Sequence, residues 1–150
     1  MKLRAAAIAA AAFAIPDAQA ACMLGHPGVA AEYRDATYVV VARATDIRPA
    51  RRWVSAGKHR YLADGEWKTV RVDRVLKGGP GQTITFFDEN TSARMPLDVG
   101  KQYLLFFSTR TLTGPAPPYV NTCGNSDAFP AATATLGKVE ALTGRARRRH

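Results

Sequence analysis

Cysteine, histidine and acidic side chains are scarce in this chain. Its 150 residues hold two cysteines, three histidines and twelve carboxylates against twenty-one lysines and arginines. Two cysteines, Cys22 and Cys123, form no C-x-x-C pair, and His26 and His59 lie more than thirty residues apart with no H-x-x-x-H spacing. The usual sequence frames for a bound metal are therefore missing. No G-x-S-x-G elbow accompanies His26, His59 or the terminal His150, so a nucleophilic triad has no visible frame. The acidic pairs Asp88-Glu89 and Asp64-x-Glu66 fall in turn-like stretches and lack the ligand alternation of a calcium loop. Gly78-Gly79-Pro80-Gly81 joins two strand-like segments, whereas a phosphate-cradling loop opens a helix and carries a lysine. The parts for catalysis are absent, so no enzyme activity, metal or cofactor is expected. Nucleic acid is not expected either, because aromatics do not cluster among the basic residues.

Long apolar runs are also lacking after the first one. Lys2 and Arg4 precede the apolar stretch from Ala5 to Ile15, Pro16 breaks it, and Ala18-Gln19-Ala20 supplies small residues. This is the pattern of a secretory signal over 1–20, too short to anchor as a membrane span. The mature chain is expected to begin near Ala21 and to work in the periplasm or beyond the cell. Lipid attachment at Cys22 is the alternative, although that motif wants a more apolar residue than Gln19. In an oxidising compartment Cys22 and Cys123 are expected to pair, with free or intermolecular thiols as the alternative. A loop of about 100 residues closed this way is worth about 4–5 kcal/mol in the chain-entropy model.

What is present reads as one mainly β domain, over 21–144. Tyr38-Val39-Val40-Val41-Ala42 is a β-branched run that suits a buried strand within Thr37 to Ile47. A polar, arginine-rich excursion follows from Arg48 to Arg60. Tyr61-Leu62-Ala63 is expected to lead into a hairpin turn at Asp64-Gly65. Trp67 to Leu76 alternates Val70 and Val72 with Arg71 and Asp73, and Gln82 to Phe87 alternates Ile84 and Phe86 with Thr83 and Thr85. Tyr103-Leu104-Leu105-Phe106-Phe107 has no polar face, so its strand is expected to be central and covered on both sides. A Pro-rich stretch, Gly114 to Pro118, leads to a short segment from Tyr119 to Cys123. Short helices are expected from Pro27 to Asp35 and from Pro130 to Leu142, the second ending at Gly144. Short strands with helices at the ends suggest a closed or nearly closed β-barrel.

Charge is uneven. Without Lys2, Arg4 and Asp17 the mature chain keeps nineteen basic and eleven acidic side chains. Arg145, Arg147, Arg148 and Arg149 concentrate four of the basic groups in the tail, 145–150. That tail can reach an anionic envelope surface or simply be solvated. Trp53 stands among Arg48, Arg51, Arg52, Lys58 and Arg60 with no apolar periodicity to bury it. Either it anchors a partner with its arginines, or it folds back over the sheet edge.

Cys22 followed by His26-Pro27, then Tyr33-Arg34-Asp35-Ala36-Thr37 and the valine strand, resembles the start of a netrin-like domain. Tissue inhibitors of metalloproteinases open in a similar way. Val75-Leu76-Lys77-Gly78, Gly100-x-x-Tyr103-Leu104-Leu105-Phe106-Phe107 and Cys123-Gly124-x-Ser126 continue the likeness. It covers most of the mature chain through short motifs and is that of a bacterial-type exported member. It implies a five-stranded OB-fold barrel with flanking helices. The inhibitors start Cys-x-Cys, whereas Leu24 stands here, and Arg34 replaces another of their cysteines. Two functions follow. The first is a non-enzymatic module binding an extracytoplasmic protein or envelope surface, with Arg51, Arg52, Trp53, Arg147, Arg148 and Arg149 as candidate contacts. The alternative is a metalloproteinase inhibitor acting through Cys22 and His26. The inhibitor mechanism implied by the resemblance chelates the protease zinc through the free amino group of an N-terminal cysteine. Cleavage after Ala20 leaves Ala21 ahead of Cys22 and turns that nitrogen into an amide.

The exported protein is expected to begin at Ala21 and to be lighter than its reduced form by the two hydrogens lost on bridging. Intact mass with N-terminal sequencing checks both. A free Cys22 amine would put protease inhibition first, and a lipid adduct would place the domain on a membrane.

Overall fold

The longest elements are the two that between them carry the arginine-rich stretch. In the computed structural model, which describes residues 22, 25–56, 58–91, 94–111 and 114–147, they form one antiparallel ribbon. The order is α1 (Val29–Asp35), β1 (Tyr38–Ala56), β2 (His59–Lys77), β3 (Thr83–Glu89), β4 (Gln102–Thr111), β5 (Gly114–Val120), β6 (Asp127–Ala128) and α2 (Thr133–Arg147). The sheet runs β3-β2-β1-β4-β5, with β6 paired to β4. The edge strands β3 and β5 approach each other. No ladder joins them among the described residues, so the sheet is open and a barrel is not closed by hydrogen bonds.

β4 sits beside β1, and its five apolar residues from Tyr103 to Phe107 are each at most 2% exposed. Tyr103, Leu105 and Phe107 pack with Val40, Ala42, Val70 and Phe86 on one side. Leu104 and Phe106 pack with Val39, Val41 and Val139 of α2 on the other. Two covered faces explain the missing polar alternation, and each such side chain contributes roughly 1.5–3 kcal/mol of burial. The ribbon bends through register shifts between Val39 and Val40, Val41 and Ala42, and Ala44 and Asp46.

Four expectations give way. Arg48 to Arg60 is not an irregular excursion, because β1 and β2 stay paired from Arg48↔Trp67 to Ala56↔His59. The expected turn at Asp64-Gly65 lies inside β2. A β-carbon at Gly65 would meet the Asp88 carbonyl and the Phe87 ring, so glycine is needed there for the close approach of β3. The Pro-rich stretch is itself the strand β5, on the sheet edge, and Pro117 and Pro118 fall at the register shift between Arg110↔Pro115 and Ser108↔Tyr119, where the ladder with β4 is interrupted. α2 also runs through Gly144 to Arg147.

The ends of the domain are drawn together. Cys22 and Cys123 are bridged. The His26 ring Nδ1 donates to the Cys123 carbonyl at 3.0 Å, and Asn125 Nδ2 donates to the Pro27 carbonyl at 2.9 Å. Asn125 also donates to Glu32 Oε2 from its backbone and its side chain, each at 2.6 Å. Lys77 Nζ donates to the carbonyls of Tyr33, Arg34 and Ala36 at 2.6–2.7 Å, a cation where a helix C-terminus offers bare carbonyls. Among the described residues no helix is long and apolar enough to cross a membrane.

Burial raises the Glu32 carboxyl above its ordinary value of 4.5, and the Asn125 hydrogen bonds only partly oppose it. A carboxyl whose pKa rises on folding favours the folded state while protonated, and that contribution fades as pH climbs past the unfolded value. Glu32→Gln, which stays neutral, should therefore gain melting temperature relative to the parent as pH rises through and above the ordinary carboxylate range. Melting curves across that range test it, and a shift in the opposite direction contradicts it.

Candidate functional site

Beyond Arg51↔Asp64 the ribbon has no third strand. β4 pairs β1 only from Tyr38 to Arg43, and β3 pairs β2 only from Gly65 to Arg71. Six rungs, from Arg51↔Asp64 to Ala56↔His59, form a two-stranded arm roughly 20 Å long at the usual rise per residue. Trp53 is 59% exposed, Leu62 48% and Tyr61 42%. Of the two alternatives for Trp53, the structure has it projecting rather than folded back.

The two faces of the arm differ. Strand alternation puts Arg52, Val54, Tyr61 and Ala63 on one face. There the Arg52 guanidinium lies 5.3 Å from the Trp67 ring and 5.8 Å from Phe87, and those two rings meet edge to face at 5.4 Å. The Tyr61 hydroxyl reaches Glu89 at 3.1 Å, and that bond to a carboxylate raises the phenol pKa. The opposite face carries three rungs, Arg51/Asp64, Trp53/Leu62 and Ser55/Arg60. Arg51 Nε pairs with Asp64 at 2.7 Å, and the Arg60 guanidinium lies 5.5 Å over the Trp53 ring. One face is engaged with the sheet and the other is open.

Where the arm meets the sheet, an open cleft of about 440 Å³ is lined by Arg51, Asp64, Glu66, Asn90 and Arg94 among others. Beside it Lys68 is buried, 1% exposed. Its ammonium meets Asp88 Oδ2 at 2.5 Å, Glu66 Oε2 at 3.4 Å and the Met95 carbonyl at 2.5 Å. Glu66 in turn lies 3.6 Å from Arg94, and the Met95 amide donates to Asp88 at 3.0 Å. Cations and carboxylates alternate through this cluster. Sequence reasoning missed it, although Lys68 lies two residues before Val70 and so faces inward.

The expected site residues fall into separate groups. Arg51, Arg52 and Trp53 share the arm. Cys22, Cys123 and His26 share the bridge that closes the domain, where His26 is held by a backbone carbonyl. Arg147 is the last residue of α2, and Arg148 and Arg149 lie outside the described residues. No group of three or more His, Cys, Asp or Glu side chains among the described residues is placed to hold a metal ion. Comparison with protein-family models finds no family that matches the chain, and comparison with curated proteins finds no match.

Asp88→Asn removes the nearer of the two carboxylates that meet the buried Lys68 ammonium and leaves Glu66, 3.4 Å away, as its counter-charge. It should therefore cost about 3 kcal/mol of folding stability, the low end of the range for a buried pair that loses one partner. Denaturant unfolding measures this, and a change below about 1 kcal/mol would show that Lys68 does not depend on Asp88.

Proposed function

We propose that this chain is an exported, non-enzymatic binding module of netrin-like, OB-fold type, and that the β1–β2 arm meets its extracytoplasmic partner. The strand order supports the OB reading. β1 is flanked by β2 and β4, with β3 and β5 at approaching outer edges, as in a five-stranded, partly open Greek-key barrel. The bridge between Cys22 and Cys123 supports work in an oxidising compartment.

One observation carries the functional reading: Trp53 stands 59% exposed on a paired ribbon. Tryptophan, tyrosine and arginine are the residue types that dominate binding hot spots. Regular pairing and the stacking of Arg52 hold the arm before any partner arrives, which reduces the ordering cost of binding. The basic C-terminal tail adds attraction toward an anionic partner or surface without defining it.

A photo-reactive amino acid at position 53 should give discrete cross-linked products in the exported fraction of the native host. The same group at Val75, 44% exposed on the unrelated part of β2, should not. Identical patterns from both positions, or none from position 53, would remove the arm as the recognition element.

A further inference from the structure

From Ile47 to Ala63 the chain carries five lysines and arginines and no acidic side chain. The cations nearest the root are occupied: Arg48 pairs with Asp46, Arg51 with Asp64, and Arg52 stacks on Trp67. Toward the tip, Lys58 and Arg60 have no carboxylate in an ion pair among the described residues. The open face thus presents an apolar rung, Trp53/Leu62, beside unneutralised positive charge. A second opening lies along the strand edge. β1 beyond Asp46 pairs only with β2 among the described residues, which leaves outward amides and carbonyls of the arm able to accept an extended chain.

We infer that the partner is an acidic polypeptide, bound extended along the β1 edge of the arm, with an apolar side chain against Trp53 and Leu62 and carboxylates toward Arg60 and Lys58. This rests on the reading of the arm as the recognition element. Charge complementarity selects the acid, and the single apolar rung selects a chain with intermittent anchors. An anionic membrane fits less well. A hairpin lying in lipid needs one continuous apolar face, whereas here Trp53/Leu62 is flanked by Arg51/Asp64 and Ser55/Arg60, and Val54/Tyr61 lies on the other face. Free backbone groups along the edge would also be left unsatisfied in hydrocarbon.

The test uses the full mature protein with three probes: a random copolymer of glutamate and tyrosine, polyglutamate alone, and vesicles containing phosphatidylglycerol. The copolymer should bind more tightly than polyglutamate, and the binding should weaken as salt is raised. Trp53→Ala should weaken copolymer binding about tenfold or more, as expected for a hot-spot aromatic, while leaving polyglutamate binding nearly unchanged. Arg60→Ala should weaken both. Both side chains lie on the arm, so melting temperatures should stay near the parent value and losses can be assigned to binding. Equal binding of the two polymers with no effect of Trp53→Ala would reduce the arm to an ion exchanger and overturn the inference. Arm-dependent binding to vesicles but not to the copolymer would overturn it as well. If position 53 still cross-links a partner in either case, the arm remains the recognition element and only the acidic polypeptide is lost. If it does not, both readings fall together.

Discussion

A buried lysine organises the open end of this sheet. An ammonium out of water costs several kcal/mol unless its charge and its three N–H groups are met. Lys68 meets three oxygens, from Asp88, Glu66 and Met95. Those partners come from the end of β3, from β2 itself and from the segment after β3, so satisfying one side chain fixes where that segment runs. Met95 and Leu97 are then carried into the core, 5% and 8% exposed. Glu66 also holds Arg94, so the cleft wall at the root of the arm depends on the same charge.

The arm depends on a second constraint, the bulge at Thr45. Before it, Ala42 and Ala44 face the core; after it, Ile47 does. One extra residue reverses the alternation, so the odd-numbered Arg51 and Trp53 continue the inner side of the ribbon. The even-numbered Arg52 turns outward to Trp67 and Phe87. Without the extra residue Trp53 would occupy the stacking side and Arg52 the open one. Placement of the tryptophan is thus decided at a threonine eight positions earlier.

Strands with a clear burial pattern were legible from the residues alone. The valine run of β1, the alternation of Val70 and Val72, and the two-sided core of β4 follow from burial requirements that act locally. The cysteine pairing followed from their even number and the expectation of an oxidising compartment. The arm was hidden because each of its faces mixes apolar and charged residues, and two-stranded pairing leaves no hydrophobic period to read. Asp64-Gly65 imitated a turn because the same glycine that permits a turn also permits close approach of β3, and only the tertiary neighbour distinguishes the two. β5 was obscured by three prolines, which are tolerated on an edge strand whose ladder is interrupted at Pro117 and Pro118. Of the candidate site, the arginines and Trp53 were visible as composition. Their division into an engaged face and an open one required the register.

Two ends of the molecule solve opposite problems. At the closed end, a covalent bridge, His26, Asn125 and Lys77 gather α1, the N-terminal segment and the turn after β5. The polar side chains of His26, Asn125 and Lys77 there bond to the chain's own carbonyls. At the other end, a two-stranded ribbon projects with unpaired edges, an arrangement that is marginal in stability and prone to unwanted pairing. Charge guards it: no acid interrupts the basic run from Ile47 to Ala63, so two copies of the arm repel each other. The same charge that prevents self-association attracts an acidic chain. Trp53 and Leu62 add apolar exposure that solubility alone would disfavour. An arm serving only stability would bury that pair or replace it with polar side chains. Its presence on the open face, beside Arg60, is the reason to read the arm as a binding element rather than an overlong hairpin.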